Sequence, residues 1–194
     1  MEFFGKKKRK PGGALCLYAT KHGQTQRYIE RIAEPLDGLI KDAAYMSGKK
    51  ASTYDVIVLG CCVYQGKVLG LDFLENNREE LKGKRLVVFT CGILDPEQKE
   101  IREDREKQVR DALGVELDGA KIFHLRGAIH WRSLGVVEHV KMKNWLSDIR
   151  KKDPAQRTLS ENQLLEAEGG RIDFSDEADC ASIVAAARGL EGAL

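Results

Sequence analysis

Short, wholly apolar runs recur along the chain, and each gap between them leaves room for a helix. Ala14-Leu15-Cys16-Leu17-Tyr18-Ala19 is the first, Val56-Ile57-Val58-Leu59-Gly60 the strongest, and Leu86-Val87-Val88-Phe89-Thr90 the next. Runs of this length without polar alternation suit strands buried on both faces of a parallel sheet. Lys121–Ile129 reads as a further strand after Gly119, and Leu39–Tyr45 as a weaker one. Helical patterns fill the gaps. Ile29, Ile32, Ala33 and Leu36 share one helix face, with Pro35 and Gly38 marking its end. Leu69–Leu81 reads as a helix stopped by Gly83, and a highly charged helix starts near Pro96 and runs to about Leu113. Strand-helix alternation at this rhythm predicts a doubly wound α/β fold. Five parallel strands would lie in the order 2-1-3-4-5, in three α/β/α layers.

The remainder is less regular. Leu134–Ile149 carries Met142, Trp145, Leu146 and Ile149 on one helix face, and Arg150–Glu168 reads as polar loop. Cys180, Ile183, Val184, Ala187 and Leu190 line one face of a last helix. The 194 residues fit a basic tail over 1–12 and a single domain over 13–194, with an insertion at about 131–173.

Charge and cysteine usage bound the function classes. A net charge of +2 demands no nucleic-acid partner. The basic run Lys6–Lys10 is a solvated tail or a patch for anionic lipid or nucleic acid. No stretch approaches the ~20 apolar residues that span a bilayer, and no secretory segment follows the tail. The five cysteines are odd in number and lack CxxC spacing. A cytoplasmic location is expected, with peripheral contact at the inner face of the membrane as a variant.

Chemistry first shows itself in Thr20-Lys21-His22-Gly23-Gln24-Thr25, between the first strand and the first helix. Backbone N–H groups, two hydroxyls and the positive end of a helix can converge there on a phosphate. The segment is neither GxGxxG nor GxxxxGK[ST], which argues against NAD and against ATP or GTP. Spacing alone leaves a plain helix cap equally open, with Thr25 capping and Gly23 turning the chain.

Ala19–Thr25 resembles the flavodoxin phosphate loop, T-x-T-G-x-T. It is closer still to the loop of flavodoxin-type, menaquinone-dependent protoporphyrinogen oxidases, which reads like S-T-x-D-G-Q-T. His22 departs from both patterns, changing one side-chain contact while leaving the backbone cradle. Tyr54–Gly60 is similar to the family's third strand, and Tyr64 and Gly66 match an aromatic and a glycine of its flavin-side loop. Leu125-Arg126-Gly127-Ala128-Ile129 and Gly169-Gly170-Arg171-Ile172-Asp173 resemble later family segments, so the likeness runs in order over roughly residues 14–190.

The resemblance implies bound FMN. Ligands of such folds sit beyond the carboxyl ends of the strands. Thr20, Lys21, His22, Gly23, Gln24 and Thr25 would hold the phosphate. Cys61, Cys62, Val63, Tyr64, Gln65 and Gly66 would flank the ring on one side, with Tyr64 stacking. Thr90, Cys91, Gly92 and Ile93 would flank it on the other. Cys61, Cys62 and Cys91 read as small buried residues, with a redox-active thiol as the alternative.

From Lys121 to Lys152 eight lysines and arginines face only Glu138 and Asp148, among His124, His130, His139, Trp131 and Trp145. The oxidases carry a basic, aromatic insertion here, which would suit porphyrin carboxylates or an anionic membrane surface. A solvated helix face with two core tryptophans is the plainer reading. His130 and Arg132 are substrate candidates by location alone, and the histidine spacings fit no metal site. Three functions follow. The first is an FMN oxidoreductase moving electrons from a reduced substrate, a porphyrinogen by resemblance, to a quinone-type acceptor. The second is an electron carrier docking redox proteins, although flavodoxins are typically acidic and this chain is not. The third is a flavin-free binding protein.

Overall fold

The computed structural model describes residues 13–176 and 178–190. The basic run Lys6–Lys10 lies outside the described residues. The strands are β1 (Ala14–Ala19), β2 (Leu39–Asp42), β3 (Val56–Tyr64), β4 (Lys67–Val68), β5 (Arg85–Gly92), β6 (Lys121–Arg126), β7 (Ala128–His130) and β8 (Arg171–Asp173). The helices are α1 (Gln24–Ala33), α2 (Gly48–Ala51), α3 (Asp72–Asn76), α4 (Arg78–Leu81), α5 (Lys99–Leu113), α6 (Val136–Lys151), α7 (Leu159–Glu166) and α8 (Asp179–Arg188).

The main sheet runs β2-β1-β3-β5-β6, every neighbour parallel, with the two-residue β4 paired antiparallel to β3. Counting the parallel strands alone, this is the doubly wound order 2-1-3-4-5. Side chains alternate across the strands, so each apolar run feeds two cores. Leu15, Leu17, Ile57, Leu59, Leu86 and Val88 face the layer that holds Val109 and Leu113 of α5. Cys16, Val58, Val87 and Phe89 face Ile29 and Ile32 of α1 and Ile183 of α8. Each such aliphatic side chain contributes about 1.5–3 kcal/mol on burial.

The chain departs from the sequence reading in three places. The last expected strand breaks at Gly127: β6 stays in the main sheet, while β7 pairs antiparallel with β8 in a separate ribbon. The helix expected over 69–81 is split at Asn77. Its side chain donates to the Phe73 carbonyl and accepts the Gly48 N–H, bonds that hold α2 against the break. Residues 150–168, expected as loop, contain α7. Thr158 and Glu161 form a reciprocal capping box at its start. A third apolar cluster joins Trp131, Leu146, Ile149 and Leu164 beneath α6 and α7. Among the described residues, no helix is long and apolar enough to cross a membrane.

Candidate functional site

The carboxyl ends of β1, β3 and β5 open into a cavity of about 470 Å³, a size usual for small-molecule sites. The loop between β1 and α1 forms one end of it. Thr20 Oγ1 accepts the Gly23 N–H at 3.0 Å and folds the loop back on itself. Gly23 precedes the helix with φ 83°, left-handed backbone that glycine adopts without strain. No side chain caps α1 and its first turn carries no acid. The first amide hydrogens and the positive helix end are therefore available to an anion.

Thr25 is buried, and its Oγ1 has no regular hydrogen-bond partner. It has only the Cys91 sulfur beside it, a weak acceptor. An unpaired buried hydroxyl costs roughly 1–3 kcal/mol. A phosphate group held by this loop would pair it.

The second segment is a hairpin and not an open loop. Cys61–Tyr64 belong to β3, Tyr64 pairs with Lys67, and Gln65 and Gly66 turn the chain with φ 52° and 79°. Two left-handed residues in succession make the tight turn that matches strand twist. Lys21 Nζ stands 5.3 Å from the Tyr64 ring centre. The Tyr64 hydroxyl donates to Glu138 of α6 at 2.8 Å, and Lys141 Nζ donates to Gln65 Oε1 at 2.6 Å. His22 Nε2 lies 3.4 Å from the same Glu138 carboxylate. Glu138 also accepts the Gly135 N–H. That bond, with the Tyr64 hydroxyl and nearby His22 and Lys21, holds its carboxyl below the ordinary glutamate range. One carboxylate thus joins α6 to the phosphate loop and to the hairpin.

The third segment, like the second, begins inside a strand, because β5 extends to Gly92. Cys91, Gly92, Ile93 and Leu94 line the cavity, together with Cys62, Val63, Tyr64, Gln65 and Gly66 and with Thr20, Lys21, His22, Gln24 and Thr25. Cys61 and Thr90 are core residues that do not line it. Each precedes a cavity residue in its strand, so alternation turns its side chain to the opposite sheet face. Thr90 there meets His124 Nδ1 at 2.8 Å, and His124 Nε2 lies 3.2 Å from Glu106. Gly23 acts through its backbone and does not line the cavity. His130 and Arg132 also lie outside the lining, on the short ribbon and the turn that follows it.

The five cysteines are buried, and none is in a disulfide. Burial pushes the thiols of Cys61 and Cys62 up, and that of Cys91 to about 12. None of these three is poised as a thiolate.

Sequence reasoning missed the far side of the cavity. Ile101, Asp104 and Arg105 of α5, Ala128 and Ile129 of β7, and Leu134, Met142 and Trp145 of the α6 segment line it. The shared helix face of Met142 and Trp145 was the visible signal, but helical periodicity does not say which neighbour a face meets.

A flavodoxin-domain family model matches residues 15–157. No curated protein matches the chain. Among solved structures, the two-electron reduced flavodoxin of Megasphaera elsdenii is similar at 18% identity, with 58% of this chain and 84% of that one covered and a TM-score of 0.44. Oxidised Flavodoxin 2 from Bacillus cereus is similar at 16% identity, with 88% and 99% covered and a TM-score of 0.43. The family match spans well over half the chain, and the uncapped helix end and weakly paired Thr25 hydroxyl fit the phosphate of FMN. The chain belongs to the flavodoxin domain family, and its cofactor is FMN.

Proposed function

We propose that the chain is an FMN-dependent oxidoreductase that oxidises a reduced small molecule, a porphyrinogen by resemblance, and hands the electrons to a quinone-type acceptor. One observation carries this reading. The cavity continues past the three flavin-side segments onto an apolar surface of Ile129, Leu134, Met142 and Trp145. A carrier that exchanges electrons across its surface has no use for such an annex, whereas a planar apolar substrate placed beside the ring would fill it. Bound FMN supplies the redox chemistry.

The chain's own residues bind and orient. Thr20, Thr25 and the first amides of α1 hold the phosphate. Tyr64 and the segment 91–94 flank the ring. Lys21 and Lys141 offer positive charge to substrate carboxylates.

The carrier reading has its own support. Val136, Val137 and Val140 are exposed at the start of α6, where a redox protein could dock. Reoxidation of anaerobically photoreduced protein separates the two. Rapid reoxidation by a menaquinone analogue supports the oxidoreductase. Slow reaction with quinones and fast exchange with ferredoxin-like proteins would reject it in favour of the carrier.

A further inference from the structure

We infer that Cys62 and Cys91 form a reversible disulfide across β3 and β5, a second redox couple that exchanges electrons with the flavin in the same cavity. It rests on FMN binding and adds to it a two-electron store made of the chain's own side chains.

The two strands are parallel neighbours, and Cys62 is the register partner of Cys91. Register partners project from the same sheet face, with their backbones about 4.8 Å apart. A disulfide is made over Cα separations of roughly 4.4–6.8 Å. Of the five cysteines, these two line the cavity, and they are buried at 7% and 4% exposed. Cys61 precedes Cys62 in β3 and faces the opposite core, while Cys16 and Cys180 pack away from the cavity. Beside Cys91, Gly127 leaves space for the sulfur, because a Cβ there would stand 3.1 Å from it.

Burial pushes both thiols up, so the reduced pair is neutral. A disulfide is neutral too. Interconversion therefore leaves no stranded charge in a site where charge is costly. The same burial keeps either sulfur from standing as a thiolate open to stray oxidants. Each sulfur has neighbours that ease loss of its proton during the exchange. The Lys21 N–H and the Lys21 charge oppose the effect of burial at Cys62, and the Thr25 hydroxyl opposes it at Cys91.

The exchange balances. Two S–H bonds break and one S–S bond forms, and the two electrons and two protons released reduce the oxidised ring. In the opposite direction the disulfide takes the same electrons and protons back, and both thiols are restored. The chain then holds a second electron pair beside the one on the cofactor.

The test uses the FMN-loaded protein, Cys62→Ala and Cys91→Ala. Samples are equilibrated under argon in glutathione buffers from reducing to oxidising, alkylated in denaturant and digested. As the buffer becomes oxidising, the unaltered protein should lose two of its five alkylatable thiols. A cross-linked peptide should join Cys62 to Cys91 and leave Cys61 alkylated. Anaerobic dithionite titration of the oxidised protein should then consume four electrons per bound flavin, and two in either variant. Five alkylated thiols in every buffer, or a bond made to Cys61, would overturn the inference without needing a variant. So would uptake of two electrons by unaltered protein that holds the disulfide, since that pair would be isolated from the ring. Protein without flavin bands would overturn the FMN reading and the exchange with it, while the thiol count still decides the disulfide.

Discussion

The Tyr64 hydroxyl donates a 2.8 Å hydrogen bond to Glu138, joining the hairpin beside the cavity to the helix on its far side. The same carboxylate lies 3.4 Å from His22 in the phosphate loop. An ionised Glu138 therefore ties both segments to α6.

Tyr64→Phe should loosen α6 while leaving the fold intact. The lost hydrogen bond is partly exposed, so its removal costs little global stability. Hydrogen exchange over residues 136–145 should accelerate severalfold, with the main sheet unchanged. Equal exchange in both proteins would show that the bond does not hold the helix.

Acid should open the same clasp. The Glu138 pKa is depressed by the Gly135 N–H, the Tyr64 hydroxyl and the nearby cations, so its contribution is present above the ordinary glutamate pKa and disappears as pH falls through the lowered value. Exchange over 136–145 should rise below about pH 4. Glu138→Gln should show open behaviour at neutral pH and lose the transition.

His124 gives a second, separate pH dependence. Burial lowers its pKa, with Glu106 opposing, so the native state holds it neutral. Its Nε2–H donates to Glu106, and its Nδ1 accepts the Thr90 hydroxyl. A depressed folded pKa means stability present above the unfolded value near 6.5 and lost as pH falls below it. The melting temperature should decline from about pH 7 to pH 5, and His124→Gln should flatten that decline. An unchanged slope in the variant would assign it to other groups.

Phosphate binding should depend on two hydroxyls that do different things. Thr25→Ala removes a buried oxygen that FMN would pair, and about tenfold weaker binding is expected, or about 1.4 kcal/mol. Thr20→Ala frees the Gly23 N–H and loosens the loop, which should slow FMN association. Quenching of flavin fluorescence measures both. Unaltered affinity in Thr25→Ala would displace the cradle from this loop.

Gly60→Ala should reach the site through the core. A Cβ there would stand 2.5 Å from Phe89 Cζ and 2.8 Å from Thr25 Cγ2. Overpacking of this kind costs typically about 1–3 kcal/mol. The melting temperature should fall and FMN should bind more weakly, because Thr25 is among the atoms that must move. A stable variant with normal affinity would mean the strand shifts at little cost.

The parallel sheet could be read from the chain because strands buried on both faces need unbroken apolar runs, and few other structures do. The candidate phosphate loop could be placed from the sequence because it follows the first strand directly. Cys61 and Thr90 were expected beside the ring, but the pleat places each on the sheet face opposite its cavity-lining neighbour. Thr158 and Glu161 stand three apart, the spacing of a capping box, inside a stretch otherwise read as loop. Arg105 could not have been found this way. It sits in a helix where charged residues crowd every side, and burial is decided by what the helix lies on.

The ribbon of β7 and β8 sets Ala128 opposite Asp173, and Phe174 N–H returns to the Gly127 carbonyl. The stretch between them therefore leaves and re-enters the fold at nearly one point. Beyond this stem the module meets the rest of the site through side chains: Glu138 with Tyr64 and His22, Lys141 with Gln65, and Ser160 with Arg126. Grafting onto this stem a different 131–170 segment that keeps Glu138 would redraw the apolar end of the cavity while keeping the contact to His22. Substrate choice and cofactor retention would then be separable properties of one chain.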